Sequence, residues 1–286
     1  DAIGSSMGMY HLLTQIYSSD AKIALADPAP GYLDYLMPES LTDNIFIHSQ
    51  RPEETERTIL DSDLIICLDF NAFHRTDTLC DPLEKSKAEK ILIDHHLSPE
   101  TEKFKLLFSV QEISSASELL YHIMMQLPAI DGKATNLPRE AATALLTGMT
   151  TDTNNFNNSV FPSTLRMASA LIEAGVDRDF ILSNLYNRYS EKRMRLMGHT
   201  LQDLMTITPD GVAYMIFDKK LLQEYHIEEG DTEGFVNLPL SIGQVKMSLL
   251  LKEDGDCGVL FGGISLVGSS CNNDLFNLTS SSVSTL

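Results

Sequence analysis

Ile91-Leu92-Ile93-Asp94-His95-His96 decides the fold. A short apolar run that stops on a carboxylate and two imidazoles suits a buried strand of a parallel sheet, covered by helices on both faces and ending at a polar edge. Leu64-Ile65-Ile66-Cys67-Leu68-Asp69 repeats the pattern earlier in the chain. In open α/β sheets ligands collect outside the carboxyl ends of the strands, so Asp69 and Asp94 are expected on one edge of one sheet. Each Asp alone reads better as the first residue of a turn, and the two histidines read equally well as a solvated turn. Together they suit a cation that accepts carboxylate and imidazole, such as Mn2+ or Zn2+.

Outward from these runs the rhythm is βαβα. Met9, Leu12, Leu13 and Ile16 recur at helical spacing, and Lys22–Ala26 and Ile45–Ile47 read as short strands. Ser115 and Glu118 form a capping box ahead of Leu119, Leu120, Ile123, Met124 and Leu127. Asn136 and Pro138 open a helix through Ala141, Leu145 and Leu146 that ends near Gly148, followed by Thr151-Asp152-Thr153. A further helix carries Leu165, Ala168 and Ile172 and stops at Gly175. The expected fold class is α/β, a mainly parallel sheet flanked by helices over residues 1–190. A helical connector over 191–204 and a smaller α+β domain over 205–286 follow. In that domain Met205–Thr208, Pro209-Asp210-Gly211 and Val212–Phe217 read as a hairpin, and Val245–Leu251 as a strand. The tail from Gly268 is rich in Ser and Asn and poorly patterned.

At the front of the chain, Asp1-Ala2-Ile3-Gly4-Ser5-Ser6 precedes the first helix. It reads either as an anion cradle of free amides at Gly4 and Ser5 or as an Asp N-cap. Asn71, His74 and Arg75 follow Asp69, and the planar fork of Arg75 suits a phosphate as well as it suits a surface loop. His11, His122 and His199 read as surface or packing residues of helices.

The 286 residues carry a net charge of −19, with 43% hydrophobic and 21% charged side chains. Such acidity brings no counterion-release affinity for long nucleic acid and disfavours a long-duplex binder. No apolar run reaches membrane-spanning length and no signal peptide opens the sequence. A cytoplasmic protein with no membrane partner is expected. Cys67, Cys80, Cys257 and Cys271 lack zinc or redox spacing and read as reduced thiols.

Four segments in this order resemble the DHH phosphoesterase family: Asp1-Ala2-Ile3-Gly4-Ser5, Asp69 with Asn71 and Arg75, Asp94-His95-His96, and Thr151-Asp152-Thr153. The resemblance continues through Phe161-Pro162-Ser163-Thr164-Leu165-Arg166 and Ala174-Gly175-Val176-Asp177. It reaches Glu233-Gly234-Phe235-Val236-Asn237, similar to the start of the DHHA1 domain's core. The subgroup it approaches is the bacterial nanoRNase/pAp phosphatase proteins. The resemblance implies two divalent ions, Mn2+ first, with Mg2+, Co2+ or Zn2+ as other candidates. Asp69 would bridge them, and Asp1, His95 and Asp152 would complete the second ion's shell. His96 would face the substrate phosphate, Asp94 would orient a histidine, and Arg75 and Asn71 would assist at the substrate. The expected activity is hydrolysis of short oligoribonucleotides or of 3′-phosphoadenosine 5′-phosphate. A cyclic dinucleotide phosphodiesterase, a pyrophosphatase or exopolyphosphatase, or a catalytically silent nucleotide-binding module are the alternatives. A homodimer and a substrate cleft between the domains are also expected.

Two features depart from the family. Its first motif begins with a His and an Asp upstream of Asp1, and its small domain carries Gly-Gly-Gly-His where this chain has Gly262-Gly263-Ile264. The residues given are therefore expected to omit flexible segments of a longer protein.

Overall fold

The computed structural model describes residues 1–187, 189–227, 231–232 and 234–253, and the backbone of 254 and 259–266. The chain divides into two compact units, Asp1–Arg188 and Tyr189–Leu286.

In the first unit helices and strands alternate in the order α1 (Ala2–Gln15), β1 (Ile23–Leu25), β2 (Ile45–Ile47), α2 (Pro52–Leu60), β3 (Leu64–Leu68), α3 (Cys80–Lys85), β4 (Glu89–Asp94), β5 (Leu106–Ser109), α4 (Ala116–Met125), α5 (Arg139–Asp152), α6 (Pro162–Glu173) and α7 (Arg178–Tyr186). The strands pair parallel, β1 with β2 and β3-β4-β5 in that order, which is the expected parallel α/β architecture. Leu68 stands opposite Ile93, so β3 and β4 end level with each other. This register brings Asp69 and Asp94 to the same edge. A cavity of about 840 Å³ lies between β1 and β3, lined by Ile23, Ala24 and Leu64–Leu68 with Met9 and Leu13 of α1.

The core lies where α1, α4 and α5 meet the sheet. Met7, Leu12, Leu120, Met124, Leu145, Leu146 and Met149 are at most 2% exposed. Helices α1 and α5 cross at glycine: a Cβ on Gly4 would fall 2.6 Å from the Gly148 Cα and 2.7 Å from the Ala144 oxygen. Gly148 therefore serves this crossing, and α5 runs on to Asp152. The expected helix end near Gly148 is wrong for that reason, since a glycine inside a helix costs only about 1 kcal/mol against alanine. Thr151 and Asp152 thus sit on the last turn of a helix rather than in a loop.

The second unit holds α8 (Glu191–His199), continued as a π-turn over Thr200–Leu204, then β6 (Thr206–Ile207), β7 (Val212–Phe217), α9 (Lys219–Glu224), β8 (Met247–Asp254) and β9 (Val259–Leu266). The sheet order is β6-β7-β8-β9, with β7 parallel to β8 and the other pairs antiparallel. The hairpin over Pro209-Asp210-Gly211 is present. Gly211 has φ +87°, and a Cβ there would meet the Gln244 oxygen at 2.5 Å. Phe217 and Phe235 pack edge to face at 6.3 Å in this unit's core, with Leu196 and Met215 beside them. The predicted strand Val245–Leu251 begins two residues later and extends to Asp254. Gly262, Gly263 and Ile264 lie within β9, a strand the sequence pattern did not suggest. Glu233, Cys257, Cys271 and the tail from Gly268 lie outside the described residues. No helix among the described residues is long and apolar enough to cross a membrane.

Candidate metal centre

Four chain segments supply the centre. The turn after β3 supplies Asp69 and the end of β4 supplies Asp94, with His95 and His96 next. The last turn of α5 supplies Asp152, and the residue before α1 is Asp1. Asp69 has φ +66°, a left-handed conformation uncommon outside glycine and concentrated at functional sites. Its backbone N–H still donates to the Ile93 oxygen at 3.2 Å, so the turn departs from the sheet after the last ladder bond.

His95 is the hub. Its Nε2 stands 3.6 Å from Asp69 Oδ1 and 3.4 Å from Asp152 Oδ2. Two sets of potential ligand atoms meet there, Asp69 with His95 and His96, and Asp1 with His95 and Asp152. Within each set all the atoms lie within 4.8 Å of one another. Burial draws the His95 ring toward its neutral form, but the neighbouring carboxylates of Asp69, Asp152 and Asp94 outweigh it and leave the pKa raised. Burial raises the Asp152 carboxyl, which His95 partly offsets and the Asp69 charge reinforces. Carboxylates gathered this closely repel one another, and a divalent cation removes that repulsion. The donor set of carboxylate oxygen and imidazole nitrogen fits such an ion.

Asp94 is fully buried and spends both oxygens on one neighbour. Oδ1 accepts from His96 Nδ1 at 2.6 Å and Oδ2 from the His96 backbone N–H at 3.0 Å. This fixes the ring and its tautomer and leaves Nε2 available. The His95 and His96 rings meet edge to face at 4.8 Å.

Asp1 behaves differently from its sequence reading. It occupies the N-cap position of α1 without a side-chain bond to that helix. Its carboxylate instead receives the Ala116 and Ser117 amides at the start of α4, at 2.7 and 3.2 Å, and the Ser117 hydroxyl at 2.6 Å. The expected cradle of free amides at Gly4 and Ser5 is also corrected. Ser5 N–H already donates to the Asp1 backbone oxygen, and both residues are buried in the α1 crossing.

Behind that helix start lies a polar node. Ser115 accepts from the Glu118 N–H at 3.0 Å. The Glu118 carboxylate accepts from the Ser114 amide and hydroxyl and from Thr164 at 2.7 Å. Burial opposes its ionisation, yet hydrogen bonds from His122, Ser114, Ser163 and Thr164 hold its pKa down at about 2. The capping box therefore reaches Ser114 rather than closing on Ser115. Ser117 was missed in the sequence; the run Ser114-Ser115-Ala116-Ser117 before the helix is the signal that could have marked it.

Arg75 lies exposed on the 3-10 turn Phe73–Leu79, outside both ligand sets. Asn71 sends its Nδ2 to the Leu97 oxygen at 2.6 Å, tying the turn after β3 to the turn after β4. Its Oδ1 is buried without a hydrogen-bond partner.

Residues 1–149 match the model of the DHH family's N-terminal domain. A probable bifunctional oligoribonuclease and PAP phosphatase, NrnA, of Streptococcus mutans is 27% identical over 172 residues, covering 58% of this chain and 51% of that protein. The chain thus spans about half the length of that relative. The crystal structure of an exopolyphosphatase-related protein from Bacteroides fragilis is 32% identical with a TM-score of 0.86, over 99% of this chain and 86% of that one.

Proposed function

The chain belongs to the DHH family, and on that premise we propose that it is a hydrolase of phosphoester bonds that depends on two divalent ions and acts on short oligoribonucleotides or 3′-phosphoadenosine 5′-phosphate. The observation that carries this reading is the convergence of Asp1, Asp69, Asp152 and His95 on one sheet edge, with the Asp94–His96 pair beside them. Divalent cations held by these residues, Mn2+ first, would neutralise phosphoryl charge and acidify a water molecule.

The protein's own groups have separate tasks. Asp69, His95, Asp152 and Asp1 would hold the ions, with Asp69 proposed as the ligand shared between them as the family resemblance implies. His96, locked through Nδ1 by Asp94, offers Nε2 to a phosphoryl oxygen. Arg75 is assigned to the substrate phosphate through its planar fork. Asn71 ties the two strand-end turns together through its bond to the Leu97 oxygen and lies next to the proposed substrate site. The acidic balance of −19 supports a short substrate, because a long strand gains nothing from it. The Streptococcus mutans relative supports the same substrate class.

The Bacteroides fragilis neighbour, described as exopolyphosphatase-related, favours a second reading with the same centre, cleavage of phosphoanhydride bonds. A chromatographic panel on the full-length protein with Mn2+ separates them. It would hold a two-nucleotide RNA, 3′-phosphoadenosine 5′-phosphate, a cyclic dinucleotide and pyrophosphate. Mononucleotide release that chelator abolishes is expected. Phosphate release from pyrophosphate alone would favour the second reading. No cleavage with ions bound would point to a silent nucleotide-binding module.

A further inference from the structure

We propose that Ser117 is a positioning residue for the cation site formed by Asp1, His95 and Asp152, and that Asp1 Oδ2 is the ligating oxygen there. This rests on the metal-dependent reading above and adds to it a residue outside the ligand sets.

A carboxylate offers about two acceptor directions on each oxygen. Asp1 Oδ1 takes two donors, the Ser117 hydroxyl at 2.6 Å and the Ser117 amide at 3.2 Å, and is filled. Oδ2 takes one, the Ala116 amide at 2.7 Å, and keeps a direction open. The start of α4 therefore selects which oxygen faces a cation, and its two amides fix the plane of the carboxylate. Ser117 is fully buried, so its hydroxyl has no bulk water to turn to and gains by staying on Asp1.

Helix α5 leaves room for this arrangement. A Cβ at Gly148 would fall 2.1 Å from Ser117 Oγ and 2.9 Å from Asp1 Oδ1. Gly148 lies four residues before Asp152, on the same face of the helix. One row of α5 thus provides both the gap that admits the Ser117–Asp1 pair and the carboxylate that shares a site with it.

The test is Mn2+ titration of the metal-free, full-length protein by calorimetry, with the melting temperature of each metal-free form. Ser117→Ala is expected to weaken one ion by about 10- to 100-fold, the usual effect of removing a group that orients a ligand. The other ion should change little. Ser117→Thr keeps the hydroxyl and should keep the affinity. Ser114→Ala removes a hydroxyl from the same helix start that bonds Glu118 and not Asp1. It should lower the melting temperature while leaving both ions. Unchanged affinities in Ser117→Ala would overturn the proposal alone, as would equal losses in Ser117→Ala and Ser114→Ala. A wild-type protein that binds no divalent ion would overturn the functional reading and this proposal with it.

Discussion

Strands β3 and β4 lie side by side, end level and are each followed or closed by an aspartate, yet the two carboxylates have opposite lives. Asp94 is sealed, both oxygens spent on the ring and backbone of His96. Asp69 sits one residue past its strand in a left-handed turn, with its side chain 12% exposed and its Oδ1 facing His95 Nε2. The same residue type at the same edge is an orienting acceptor in one case and an open ligand in the other. What divides them is burial: Asp94 is fully buried against His96, while Asp69 keeps part of its carboxylate exposed beside His95.

The sharpest break of this comparison is Asp69→Ala. It should lower hydrolysis by about a hundredfold or more and reduce the bound ions, since it removes a ligand rather than its support. Metal analysis and steady-state kinetics on the purified variant check both. Retention of wild-type metal content would return Asp69 to the role of a turn residue.

Asp94→Asn should lower turnover by about 10- to 100-fold with metal content nearly kept, because only the orientation of His96 is loosened. His96→Ala should match it. The double variant should be no worse than His96→Ala alone, since the two residues act as one unit. Additive losses would give Asp94 a task of its own.

A third carboxylate extends the contrast to stability. Glu118 is buried like Asp94 but gathers the donors at the start of α4 together with His122, and its pKa is lowered from 4.5 to about 2. A depressed acid stabilises the fold above its unfolded pKa and loses that contribution as pH falls toward the folded value. The window is therefore about pH 4.5 down to about pH 2, and the contribution is about 3 kcal/mol. Glu118→Gln should destabilise the protein by about 2–3 kcal/mol at neutral pH and flatten stability across that window. Denaturant midpoints at several pH values read both. The smallest expected effect is at exposed Arg75, where alanine should raise KM about fivefold or less, as for an exposed ion pair.

Both strand ends were legible in the sequence because an apolar run closing on a carboxylate is a local signal. Leu64–Leu68 is β3 as read, and β4 differs only by beginning at Glu89 and including Asp94. The meeting of Asp69, His95 and Asp152 could be anticipated from parallel topology and from the family resemblance. The partnership of Asp1 with Ser117 could not, because residues 116 positions apart meet only once α1, α4 and α5 have packed. Gly148 misled for a related reason: a local reading takes glycine as a stop, while the fold uses it as a gap. Strand β5 was also missed, since Leu106 and Phe108 are exposed and leave no alternation to read.

The most direct test of the central claim is anomalous scattering from crystals of the full-length protein grown with Mn2+. The account predicts ions bound by Asp69, His95, Asp152 and Asp1. Ions that bind elsewhere, leaving this sheet edge without one, would contradict it.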